Sequence, residues 1–188
     1  MLELMETALE RAQVLAPNDP VAAPLADYLE RHLIEEAHHE EPGGAILDDL
    51  SATGVDVVGA QSDKLTELLA LQRGWIRDEH PVAVLGFLVL ELYYAERSVV
   101  EQLIARSGFP RAAFGQLLEH ATLDAMHAAQ LEQLLDSLPL TPAQEQLVGL
   151  SALTTLRLVA EALVETLDRT AVTAAGGTRR PQQQSASI

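Results

Sequence analysis

The sequence predicts an all-α fold, a bundle of about six or seven helices. Leu, Ala and Glu dominate its 188 residues, apolar side chains recur at close to 3.6 residues almost throughout, and strand-type alternation is nearly absent. Proline and glycine cluster between the periodic runs, where they punctuate the chain. A chain of this length buries the core of one domain without disulfides or structural zinc.

The elements follow in order. A first helix covers residues 2 to 15 and ends before APNDP, where Pro17 and Pro20 mark a turn. The second runs from Pro20 to Glu41 and is stopped by Pro42, Gly43 and Gly44. A short helical piece, AILDDLSATG, ends at Gly54. Asp63 caps a helix reaching Arg77, and Pro81 opens a long helix to Arg106. SGFP closes that helix and opens the next, Pro110 to Ser137. Thr141 caps the last, Pro142 to Val172. Residues 173 to 188 have no apolar face to bury and are expected to form a disordered tail behind a helical domain of residues 1 to 172.

Composition removes several function classes. There is no cysteine, hence no thiolate nucleophile and no zinc finger. A formal charge of −16 disfavours nucleic acid and anionic membranes, because the 12 Lys and Arg residues form no basic footprint. The apolar run PVAVLGFLVLELYYA is interrupted by Glu91 and is shorter than the roughly 20 residues of a membrane span. MLELMETALERAQ does not read as a secretion signal, so a cytoplasmic location is expected.

Three apolar seams are interrupted by metal-ligand residue types. Alternate steps of four and three from Ala113 keep to one helical face and give Leu117, His120, Asp124, His127, Leu131, Leu134 and Leu138. In the second helix the same walk gives Ala22, Leu25, Leu29, His32, Glu36 and His39, and in the long helix Val84, Leu88, Glu91, Ala95 and Ser98. An unpaired buried polar group costs on the order of 1–3 kcal/mol, and a charge more. A cation would compensate them together.

Glu36 and His39, three apart, reach one ion from a single turn, the Glu-x-x-His arrangement of carboxylate-bridged di-iron helices, and Asp124 with His127 repeats the spacing. The predicted ligands are therefore Glu36, His39, Glu91, His120, Asp124 and His127. Oxygen and nitrogen donors without sulfur suit iron or manganese, and a carboxylate-rich set can bridge two ions. A shift of register would exchange Glu36 and His39 for Glu35 and His38, and His32, Glu67 or Glu6 could complete the shell. Taken singly the residues have plainer readings: HHEE as a solvated helix end, Glu91 as the partner of Arg157, His80 as a structural residue before a proline. Arg157 itself could hold a substrate carboxylate or pair with Glu161. A substrate pocket is expected near Phe87, Tyr93, Tyr94, Phe114 and Leu156.

With these residues placed, the sequence resembles the haem-oxygenase-like di-iron oxidases and oxygenases. The resemblance rests on HLIEEAHHEEPGGAILDDLSATGVD, on PVAVLGFLVLE and on EHATLDAMH, which fits an H-x-x-x-D-x-x-H motif, and spans residues 25 to 140. It implies a haem-oxygenase-like bundle without haem, with His120, Asp124 and His127 as ligands from one helix, Glu36 and His39 from a second, and Glu91 from the long helix. It implies two Fe(II) ions, dioxygen as co-substrate, and oxidation of a small molecule such as an amino acid or fatty acid. The partners expected are a small-molecule substrate and an external electron donor, with a homodimer compatible. The reading from another class is a non-catalytic bundle that binds a metal or a partner.

Overall fold

The computed structural model of the chain describes residues 2–37, 62–93 and 95–176, without the side chains of Ala37, Tyr93, Asp124 and residues 166–176. The predicted helix over 45–54, His39 and the tail from 177 onward lie outside the described residues. Within them every regular element is helical: α1 (Leu2–Leu15), α2 (Ala22–Ala37), α3 (Asp63–Gly74), α4 (Ala83–Phe87), α5 (Arg97–Ser107), α6 (Gly115–Ser137) and α7 (Pro142–Gly176). A π-helical turn, Trp75–Glu79, and two 3-10 segments, Leu88–Tyr93 and Arg111–Phe114, join them.

Periodicity explains the pairing of α1 with α2. Leu4, Met5, Ala8 and Ala12 form one buried stripe, and Val21, Ala22, Leu25, Ala26 and Leu29 form the facing one. Between the helices Asp19 accepts from the Val21 N–H at 2.8 Å and meets His80 Nε2 at 2.8 Å, while His80 Nδ1 accepts from the Val82 N–H at 3.0 Å. His80 is thus a structural residue that lashes the α1–α2 turn to the start of α4. Its bond to Asp19 and that of Val21 more than offset the burial that opposes the Asp19 charge, so this carboxyl titrates below its ordinary value.

Ends are fixed by local chemistry. Thr141 and Gln144 form a capping box: the Thr141 hydroxyl accepts from the Gln144 N–H at 3.3 Å, and the Gln144 side chain accepts from the Thr141 N–H at 2.9 Å. Gly108, at φ 76°, ends α5 in the left-handed region that other residues avoid. The cap of α3 is Ser62, whose hydroxyl accepts from the Lys64 N–H at 3.2 Å; the predicted cap, Asp63, sits in the first turn instead.

The largest departure from the predicted elements is the helix expected over residues 81 to 106. It is broken into α4, a 3-10 segment and α5, with a new start at Glu96, so Ala95 and Ser98 do not continue the Glu91 seam and are exposed. Residues 81 to 88 are buried on all sides, so no polar face orients this run and its neighbours set its path. Gly86 marks the tightest contact: a Cβ there would overlap the Val148 carbonyl, Ser151 Cβ and the Ala152 nitrogen of α7. The predicted helix to Arg77 gives way after Gly74 to the π turn, closed by His80 N–H to the Trp75 carbonyl at 2.9 Å. The last helix runs to Gly176, beyond the Val172 expected.

Candidate metal centre

The site is built where α2, the 3-10 segment and α6 meet. From α2 come Glu35 and Glu36, and His32 one turn earlier; from the 3-10 segment comes Glu91; from α6 comes His127. One ligand atom each of His32, Glu36 and His127 lies within 4.8 Å of the others, and all three residues are buried. They are 1%, 2% and 2% exposed, whereas the other carboxylates among the described residues are mostly in water.

The bonds within the cluster show which atoms are spoken for. His32 Nε2 is 2.9 Å from Glu91 Oε1, so its N–H donates to the carboxylate and Nδ1 is left without a hydrogen bond. His127 Nε2 stands 3.3 Å from Glu35 Oε2 and its Nδ1 3.6 Å from Glu36 Oε1. The two imidazoles meet edge to face with centroids 4.7 Å apart. His32 Nδ1, His127 Nδ1, Glu91 Oε2 and Glu35 Oε2 are sealed from solvent without a hydrogen-bond partner.

Electrostatics follow from this crowding. Burial opposes charge on His32, but the hydrogen bond and charge of Glu91, with the charges of Glu36 and Glu35, outweigh it and raise its pKa. Tyr28 stacks on His32 with ring centroids 5.3 Å apart and an interplanar angle of 14°. Burial, then the charges of Glu91, Glu35 and Glu36, push its phenol well above its ordinary value, and its hydroxyl has no partner. On the outer side of Tyr28 a cleft of about 410 Å³ opens between Asp27 and Arg31 of α2 and Gln130, Gln133 and Ser137 of α6.

Of the six predicted ligands, Glu36 and His127 stand in the group of three, and Glu91 joins it through His32. Glu91 is reached from a 3-10 segment rather than from a straight helix. His120 is half-buried on α6, two turns before His127, and its Nε2 accepts from the Gln116 amide at 3.0 Å; it is outside the group. His39 and the Asp124 side chain lie outside the described residues. His32, held above only as a residue that could complete the shell, is central. The signal for it was present in the α2 walk, which reaches His32 four residues before Glu36. Arg157 is not in the core-facing stripe: its side chain is 55% exposed and pairs with Glu161 at 2.9 Å. Nor do Phe87 and Phe114, both buried, line the cleft beside the cluster.

The chain matches no known family model, no curated protein and no solved structure. The site is therefore argued from its own geometry.

Proposed function

We propose that this chain is a non-haem iron enzyme, an oxidase or oxygenase that uses dioxygen to oxidise a small molecule, with iron held by His32, Glu36 and His127. The observation that carries the reading is the set of sealed, unpartnered donor atoms converging from α2, the 3-10 segment and α6. Without a cation, each such atom forfeits its hydration without gaining a hydrogen bond. Two imidazole nitrogens and a carboxylate, with two more carboxylates adjacent and no sulfur, fit iron or manganese. When bound, iron supplies the dioxygen chemistry that no side chain here can perform.

The chain's own residues do the rest. Glu91 accepts from His32 Nε2, which orients the ring and would leave Nδ1 to hold a cation, a carboxylate being a usual second partner of a metal-binding imidazole. Tyr28 closes the outer side of His32 and excludes water, and the polar walls of the cleft beyond it suit a small polar substrate. A second ion of a pair needs donors beyond the three; Glu35 and Glu91 stand nearest, and His39 and Asp124 lie three residues from Glu36 and His127 along their helices.

Anaerobic reconstitution with Fe(II) followed by metal analysis tests this directly. Two irons per chain and oxygen uptake on mixing with air are expected, and both fall in Glu36→Ala and His127→Ala. A chain that takes up no iron overturns the reading. Because the group of three ties α2 to α6, a purely structural cation is the second reading; one tightly held ion per chain without oxygen uptake would select it.

A further inference from the structure

Outside the metal centre, a cavity of about 470 Å³ opens between the π turn and the first turns of α7, and none of its lining residues belongs to the metal cluster or to the cleft beside it. That is room for a small molecule. Trp75 and Glu79 come from the π turn, with His80 just after it, and Gln144, Leu147 and Leu150 come from α7. A π turn is a rare conformation that recurs at functional sites. The two walls are pinned by polar bonds. His80 Nδ1 accepts from the Val82 N–H at 3.0 Å, so the ring is neutral and its Nε2–H donates to Asp19 at 2.8 Å. The Gln144 side-chain oxygen is held by the Thr141 N–H and hydroxyl, both at 2.9 Å, which turns its NH2 toward His80 Nε2 at 3.3 Å. That nitrogen already carries the hydrogen that Asp19 accepts. The Gln144 NH2 therefore finds no acceptor on the ring and is left to donate to a ligand.

We propose that this cavity binds a small organic ammonium ion, with its charge between the Trp75 indole and the Glu79 carboxylate, its apolar body against Leu147 and Leu150, and an oxygen on the Gln144 NH2. Charge selects the sign of the ligand. Glu79 is the one charged side chain among the residues that line the cavity, and it pairs with no cation among the described residues. An indole attracts an ammonium ion more strongly than any other side-chain ring does. The chain's net charge of −16 draws cations and repels anions. An anion at the start of α7 is the rival occupant. It is the poorer one, because the Thr141 and Gln144 N–H groups are already capped by each other's side chains, and Glu145 occupies the same first turn. The apolar wall sets the rest of the chemistry. Trp75 and Leu147 are half-buried and Leu150 is 51% exposed, so an inorganic cation would leave this surface wet, whereas an alkyl or aryl body covers it.

The test uses the full chain, whose sole tryptophan is Trp75, so indole fluorescence reads the occupancy of this cavity alone. Titration with phenylethanolamine, which joins an ammonium group, a hydroxyl and an aryl body, is expected to change the emission saturably. Its neutral analogue phenylethylene glycol, with a hydroxyl in place of the ammonium, should bind about fivefold more weakly, the loss expected of one exposed charge contact. Glu79→Gln, on an exposed side chain, should weaken phenylethanolamine by the same factor. Leu150→Arg sets a cation in the mouth of the cavity and should abolish the response while helical circular dichroism is unchanged. No saturable response below about 10 mM phenylethanolamine overturns the proposal. So does equal affinity for the glycol, an affinity that Glu79→Gln leaves intact, or a response that survives Leu150→Arg.

Discussion

Two buried polar clusters sit in this bundle, and they are built on opposite principles. Between α3, α4 and α7, Gln72, Ser151 and Thr155 are fully buried and close on one another. The Gln72 amide donates to the Ser151 and Thr155 hydroxyls at 2.8 and 3.0 Å, and Ser151 donates to the Ala83 carbonyl at 2.7 Å. Every member is neutral and has a partner. Between α2, the 3-10 segment and α6 the members are carboxylates and imidazoles, and four of their atoms have no hydrogen bond. The first cluster is complete as protein. The second could hold a cation, and under the proposed function that contrast is the one between a structural network and a binding site.

The largest effect that would break this comparison is at His127. Replacing it by alanine removes one of three donors, and affinity for Fe(II), or for Co(II) as a spectroscopic probe, should fall at least about 100-fold, or roughly 2.7 kcal/mol. Isothermal titration under nitrogen reads this. An unchanged affinity would leave the two clusters equivalent. Gln72→Ala tests the opposite cluster: stranding the Thr155 hydroxyl and opening a cavity should lower stability by about 2–3 kcal/mol in urea while cation uptake is unchanged.

A sharper contrast comes from Glu36→Leu. Removing a buried charge should raise the stability of the cation-free chain by about 1–2 kcal/mol even as it abolishes binding, because a binding site is held at the expense of the fold. A cation-free variant less stable than its parent would count against the cluster being a binding site. The smallest effect is at Asp19, whose pKa is lowered by His80 and Val21 despite burial. Its contribution is present above its unfolded pKa and lost as pH falls through the lower folded one. Asp19→Asn should therefore reduce stability by about 1 kcal/mol or less at neutral pH, with the gap closing below about pH 4. Paired denaturation curves across that range measure it.

Much of this was legible from residues alone, for identifiable reasons. The first helix and the start of the last are read correctly because amphipathic stripes and proline signals act over a few residues. Glu36, Glu91 and His127 stood out because each interrupts an apolar seam. The seams failed where a straight helix was assumed. In the run from Pro81 every position is apolar and buried, so no periodicity distinguishes an α-helix from the 3-10 segment that carries Glu91. Arg157 was misplaced for a related reason: α7 is apolar around most of its circumference, and spacing cannot tell which stripe faces inward.

By itself the sequence determined that the chain is helical, that cysteine chemistry is absent, and that acids and imidazoles interrupt three apolar faces, all properties of spacing and composition. Only the tertiary structure decided that His32 stands with Glu36 and His127, that Glu91 spends one oxygen on His32, and that Arg157 faces outward. Those depend on the rotation of each helix about its axis, and that rotation is set by contacts between residues far apart in the chain, such as Gly86 against Val148 and Ser151.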